Sequence, residues 1–148
     1  MAKLFQKLAE LFVRPTPQRQ TPIDLQAILY EISRPAKSSG EMPRRIELCR
    51  QALTAVDRDE NAKRWGALQG VLASSLAQNP MGSRADNLDQ AIAHYEQALE
   101  VYTRQAYPEV WATTQNNLAA AYADRIRGER ADNLEQAITH FGKALEVH

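Results

Sequence analysis

The most reactive side chains of this 148-residue chain are three histidines and one cysteine, Cys49. A single cysteine excludes a disulfide within the chain and a zinc site built on several cysteines. His94 and His140 each lack a carboxylate or second histidine four residues further on, so neither begins a helical metal pair. The chain also has no glycine-rich phosphate loop. We therefore predict no catalytic residue, no metal or cofactor site, and no enzyme activity.

Two predicted loops carry arginines, Arg84 in the first and Arg125, Arg127 and Arg130 in the second. Arginine is the side chain best suited to binding carboxylates and phosphates. Three acidic residues lie beside these arginines in the sequence, namely Asp86, Glu129 and Asp132. The pattern predicts ion pairs within each loop, with a site for a phosphorylated ligand as the alternative.

The overall composition is that of an ordinary globular protein. Lys and Arg total 18 and Asp and Glu total 18, so the formal charge is zero and nothing draws the chain towards nucleic acid. Residues 1–50 carry 9 basic and 5 acidic side chains (+4), and residues 51–148 carry 9 and 13 (−4). The sequence has no apolar run of membrane-spanning length and no secretory signal. A soluble, cytoplasmic protein without a nucleic-acid partner is expected.

The sequence repeats itself with a period of 46 residues. The segment 84–92 returns at 130–138 with one conservative change, and residues 41–102 share 24 identities in 62 positions with residues 87–148. Trp65 falls on Trp111, and a fainter earlier copy places Ala27 on Ala73. These matches predict three repeats, at about 23–58, 62–104 and 108–148, the last one incomplete.

Each repeat has the pattern of two helices. Ala, Leu and Gln make up a third of the chain, and these residues lose little side-chain freedom in a helix. Pro108 suits the first turn of a helix that continues to about Arg125. Asp132 is predicted as the N-cap of the next helix, with Glu135 completing a capping box. An all-α fold follows.

Several residues of the last repeat resemble the tetratricopeptide repeat. They are the run 117–122, with its Leu, Ala and Tyr, followed by Ala137, Phe141 and Ala144-Leu145. The resemblance implies a right-handed α-solenoid of antiparallel helix pairs. The usual period of that family is about 34 residues, so these units resemble the extended repeats of kinesin light chains and of bacterial multidomain signalling proteins. The extra length is assigned to the arginine-bearing loop and to a longer second helix ending at residues 107–110.

The resemblance also implies a binding surface. Tetratricopeptide proteins bind partners in the concave groove lined by their first helices, and Asn117 matches an asparagine that grips the backbone of a bound peptide. The groove positions that the resemblance implies are Thr113, Asn116, Asn117, Ala120 and Asp124 in one repeat and Gly70, Ser74 and Gln78 in another. The implied function is a non-enzymatic scaffold that binds a protein or peptide, and the alternative is that so short a groove binds nothing by itself.

The N-terminal segment has a separate pattern. Residues 1–14 form one apolar helical stripe, and a proline-rich linker follows at 15–22. Three interpretations are open: a cap on the first repeat, a helix that makes homo-oligomers together with the open C-terminal end, or a peripheral membrane adaptor. The residues of this stripe are Leu4, Phe5, Leu8, Leu11 and Phe12.

Overall fold

The computed structural model describes Lys3, Leu4, Lys7 and residues 22–147. This part of the chain contains six α-helices and no β-strand, which confirms the predicted all-α class. A short 3-10 turn, Ser39–Glu41, precedes the second helix. The helices are α1 (Leu25–Ser33), α2 (Met42–Ala55), α3 (Ala62–Gln78), α4 (Arg84–Val101), α5 (Pro108–Asp124) and α6 (Arg130–Leu145).

The helix starts follow local capping chemistry. Asp24, Asn61 and Ser83 cap α1, α3 and α4, each accepting a hydrogen bond from a backbone N–H of the first turn at 3.1 to 3.2 Å. Pro108 is the first residue of α5, as the sequence predicts. These caps satisfy backbone donors that the helices leave unpaired.

The predicted N-cap of α6 is wrong. The cap position is Glu129, and Asp132 lies in the first turn, where its carboxylate faces the positive end of the helix dipole. The helix begins early because Gly128 turns the chain in the left-handed region, with a φ of 82°. Gly82 does the same before α4, with a φ of 76°.

The second helix of the middle repeat is also shorter than expected. The helix α4 ends at Val101, with Tyr102 as its C-cap, and does not continue to Tyr107. Tyr102 is held back against α3, because its hydroxyl donates a 2.6 Å hydrogen bond to the carbonyl of Lys63. Tyr107 ends a separate turn, in which its N–H donates to the carbonyl of Thr103 at 2.9 Å. Part of the extra repeat length is therefore a loop between α4 and α5.

The core lies between consecutive helices. The main contacts join each helix to the next one in the chain, and α3 also touches α5. Ala73, Ala91 and Ala119 have no exposed surface, which lets helix backbones approach closely. Leu72 and Leu118 are each 1% exposed and fill the space between the pairs.

Contacts recur with the 46-residue period. Asn87 donates to the carbonyl of Met81 at 2.9 Å, and Asn133 donates to the carbonyl of Arg127 at 2.8 Å. Both tryptophans lie beneath the guanidinium of an arginine seven residues earlier in the chain. The sequence repeat is therefore also a repeat of tertiary contacts.

Little of the N-terminal stripe falls within the described residues. Lys3, Leu4 and Lys7 are helical, and Leu4 is 64% exposed. The other members of the stripe, Phe5, Leu8, Leu11 and Phe12, lie outside the described residues, as does the linker up to residue 21. None of the described helices combines the length and the apolar character needed to cross a bilayer.

Candidate functional site

An open cavity of about 620 Å³ lies over α3. Four of the predicted groove residues line it together: Gly70, Ser74 and Gln78 from α3, and Asn117 from α5. Residues of α1, α2 and α4 complete its walls. The structure thus brings together half of the residues that the sequence assigned to a groove.

The cavity exists because the facing side of α3 carries small side chains. A β-carbon built on Gly70 would meet nothing within 4 Å, and Ala67 and Ser74 line the same surface. Part of the apolar wall comes from two buried aromatic residues, Tyr95 of α4 and Tyr102 at its C-cap, which are 4% and 5% exposed. The result is a mostly apolar recess with a few polar groups, the usual character of a ligand site.

The polar groups of the cavity are amides and hydroxyls. Gln78 donates a 2.9 Å hydrogen bond to the Ser74 hydroxyl, which leaves the amide oxygen of Gln78 available to a ligand. The Asn117 side chain is half-buried, and within the described part of the chain its amide has no hydrogen-bond partner. An asparagine amide can donate and accept at once, so it can bind both groups of a peptide bond.

Arg45 is a wall residue that the sequence prediction missed. It carries the one charge among the described residues that line the cavity. Its guanidinium donates to the carbonyls of Ile32 and Arg34 at the end of α1. The sequence repeat contained a signal for Arg45, because an arginine stands where the later repeats have alanine. The equivalent residues, Ala91 and Ala137, are both buried.

The other predicted groove residues lie elsewhere. Thr113 and Asn116 line a second open cavity of about 560 Å³ between α5 and α6, together with Phe141. Ala120 and Asp124 are exposed and line neither of these two cavities. Four of the eight predicted positions thus line the cavity over α3, and the other four do not.

The arginine-bearing loops form ion pairs between helices and not within each loop, which corrects the prediction. Arg125 and Arg127 contact Asp89 of α4 at 2.9 and 3.2 Å, and Arg127 also contacts Asp86 at 2.6 Å. Burial alone would raise the pKa of Asp89, but hydrogen bonds from the two arginines hold that pKa below its ordinary value. Asp124 lies 3.8 Å from Arg84. These contacts join the second repeat to the third.

Two of the histidines, His94 and His140, and the cysteine occupy structural positions. His94 Nδ1 lies 2.6 Å from Gln69 Oε1, and the same distance joins His140 to Gln115 one repeat later. Burial lowers the pKa of both histidines. Cys49 has no exposed surface, and burial raises the pKa of its thiol to about 11.

The described residues contain no cluster of three or more histidine, cysteine or acidic side chains that could hold a metal ion. No protein-family model, no curated protein and no solved structure matches the sequence.

Proposed function

We propose that the chain is a non-enzymatic binding module, a tetratricopeptide-like α-solenoid that holds an extended peptide in the cavity over α3. The observation that carries the proposal is the convergence of Gly70, Ser74, Gln78 and Asn117 on one open recess. The recurrence of contacts every 46 residues supports the solenoid, since stacked repeats make the same contacts with each neighbour.

The chemistry of the recess defines the class of peptide. Its mostly apolar walls suit small or medium apolar side chains, and the amides of Asn117 and Gln78 suit the polar backbone of an extended segment. Arg45 at the wall favours an acidic side chain at that end, because a guanidinium has five donors and two carbonyls leave some of them free. The proposed ligand is an extended apolar peptide with one carboxylate.

A phage-displayed library of random peptides, panned on the full chain, tests the proposal. Enriched peptides are then titrated against Asn117→Ala, which should lose about 1–3 kcal/mol of binding free energy if its amide pairs with the ligand backbone. Gly70→Trp, which fills the recess, should abolish binding. The matched control is Asn116→Ala, one residue away but facing the other cavity, and it should bind normally.

Two outcomes contradict the proposal. One is a library that yields no enriched peptide. The other is an enriched peptide that binds Gly70→Trp as tightly as it binds the wild-type chain. Equal losses in Asn116→Ala and Asn117→Ala would place the ligand outside the cavity over α3.

A further inference from the structure

The last helix of the described chain exposes an apolar face. Leu134 and Phe141 are 39% and 37% exposed, and Ile138 and Leu145 are each 71% exposed. These four residues are spaced to lie along one side of α6. The equivalent residues of α4, one repeat earlier, are Leu88, Ile92, Tyr95 and Leu99, of which the first three are 1%, 7% and 4% exposed.

The repeat itself identifies the kind of element that covers this face. In the middle repeat, α5 packs on α4, and its residues line the open cavity together with Gly66, Ala67 and Gly70 of α3. The 560 Å³ cavity of the last repeat is lined by the residues 46 positions later, including Thr113 and Asn116. Within the described residues, no helix lies on the face of α6 as α5 lies on α4.

The chain contains such a helix at its other end. α1 is the 46-residue equivalent of α3 and the 92-residue equivalent of α5. Ala27 of α1 is exposed, whereas its equivalents Ala73 and Ala119 have no exposed surface. Tyr30 is 69% exposed, and its equivalent Leu76 is 2% exposed. Positions that are buried inside the array are thus exposed at both ends.

One ion pair inside the array has charged counterparts at the two ends. Arg125, the C-cap of α5, pairs with Asp89 near the start of α4. Glu135 repeats Asp89 near the start of α6, and Arg34 is the C-cap of α1. The first 50 residues carry a charge of +4 and the remainder −4. Residues 1–21 contribute +3 of this charge, and α1 with its two cap residues carries Asp24, Glu31 and Arg34, so the electrostatic contribution at this contact is the pair of Arg34 with Glu135 and not a basic helix.

We propose that the exposed face of α6 binds α1 of a second copy of this chain, continuing the helix stacking from one molecule into the next. The contact is head-to-tail, with different surfaces on the two partners. Such an interface leaves a free face at each end, so it adds further copies unless the rotation closes a ring. The inference goes beyond peptide binding and does not depend on it.

Light scattering on the full chain over a concentration series tests the assembly. The mass should rise above the 16.6 kDa of one chain with concentration, and Ile138→Glu should keep it at one chain. The matched control is Ile126→Glu, which should assemble normally. Ile126 is 59% exposed, and its equivalent one repeat earlier, Pro80, is also exposed, so this position is not covered when repeats stack. The equivalent of Ile138 is Ile92, which is buried by the stacking.

Circular dichroism checks that each variant is folded, and Leu145→Glu on the same face replaces Ile138→Glu if that variant unfolds. A wild-type chain that stays monomeric at every concentration overturns the proposal, because another occupant or none then covers the face. Assembly that survives the glutamate variants overturns it as well.

Cross-linking tests the head-to-tail direction. The Tyr122 hydroxyl donates to Glu96 across the junction of the second and third repeats, at 3.2 Å. The equivalent pair between copies is Tyr30 of one and Gly142 of the other, and a β-carbon at Gly142 meets nothing within 4 Å. A short bis-maleimide should therefore join Tyr30→Cys to Gly142→Cys in a mixture, while Cys49 stays unreactive. Cross-linking of Gly142→Cys only to itself would indicate a two-fold contact and overturn the proposed direction.

Discussion

At position 66, the surface of α3 has no room for a β-carbon. A β-carbon there would lie 2.8 Å from the Tyr102 ring and 3.2 Å from Val101. The ring cannot move freely, because it is buried and its hydroxyl is hydrogen-bonded to Lys63. Four residues further along the same helix, Gly70 faces open space.

The two glycines therefore predict opposite effects of the same substitution. Gly66→Ala should lower the free energy of unfolding by about 1–3 kcal/mol through overpacking. Gly70→Ala should raise it by about 0.5–1 kcal/mol, since alanine favours a helix and meets no neighbour. Urea unfolding of both variants measures the difference, and an equal effect at the two positions would contradict the packing described for Tyr102.

Two half-buried histidines make stability depend on pH. Burial holds the pKa of His94 and of His140 below the ordinary value of 6.5, so the unfolded chain takes up these protons first as the pH falls. Their contribution to stability is intact above pH 6.5 and declines below it, until the folded protein is protonated as well. Urea midpoints at pH 7.5 and 5.5 should show this loss.

Replacing both histidines with glutamine supplies the control. An amide can keep a hydrogen bond to the glutamine opposite it, yet it does not titrate in this range. The double variant should therefore lose less stability between pH 7.5 and 5.5 than the wild-type chain. Equal losses would show that other groups cause the pH dependence.

At the scale of elements, the junction between α4 and the end of α5 depends on Asp89. Asp89→Asn should lower the free energy of unfolding by roughly 0.5–1 kcal/mol at low salt, because it removes the charge that binds Arg125 and Arg127. The pKa of Asp89 is below its ordinary value of 3.8, so this contribution is present above that pH and is lost as the pH falls further.

Glu135→Gln is the matched variant one repeat later. It removes a charge at the equivalent helix position, where no ion pair is found within the described residues. Measured on the monomer by urea unfolding at low salt, it should change stability little. A loss of stability as large as that of Asp89→Asn would mean that the ion pairs with Arg125 and Arg127 add nothing specific to the free energy of unfolding.

Much of the element pattern was predictable from the sequence, because apolar spacing and proline position are local properties. The start of α5 at Pro108 is an example. The N-cap of α6 was not, since Asp132 suits both a cap and a first helical turn. The left-handed turn at Gly128 determines that α6 begins after Glu129 and not after Asp132.

The candidate site was predictable only in part, for a geometric reason. Asn116 and Asn117 are adjacent, and adjacent helical residues point about 100° apart. How α5 is rotated against its neighbours decides which of them faces the cavity over α3, and that rotation depends on tertiary packing. Arg45 was missed because its role follows from contacts with the end of α1.

At the scale of the whole molecule, the middle helix pair is the one packed on both sides. As a pair, α3 and α4 contact both α2 and α5, whereas α1 and α6 each have a face that no other described helix covers. Repeat arrays owe much of their stability to contacts between neighbours. Hydrogen exchange on the monomer should therefore show the slowest amides in α3 and α4 and faster ones in α1 and α6. Equal protection of α4 and α6 would contradict this view.

The two Gln–His hydrogen bonds have a consequence for how so repetitive a chain avoids misfolding. In the first helix pair the equivalent positions hold Ile23 and Leu48, so this pair differs chemically from the two that follow. If α1 docked wrongly on α4, His94 would be left without its amide partner, an error that costs about 1–3 kcal/mol. The second and third pairs carry the same polar groups. An exchange between α3 and α5 would therefore still place a glutamine opposite each histidine. Kinetic traps during refolding are accordingly expected to be swaps of those two helices, with the first pair correctly in place.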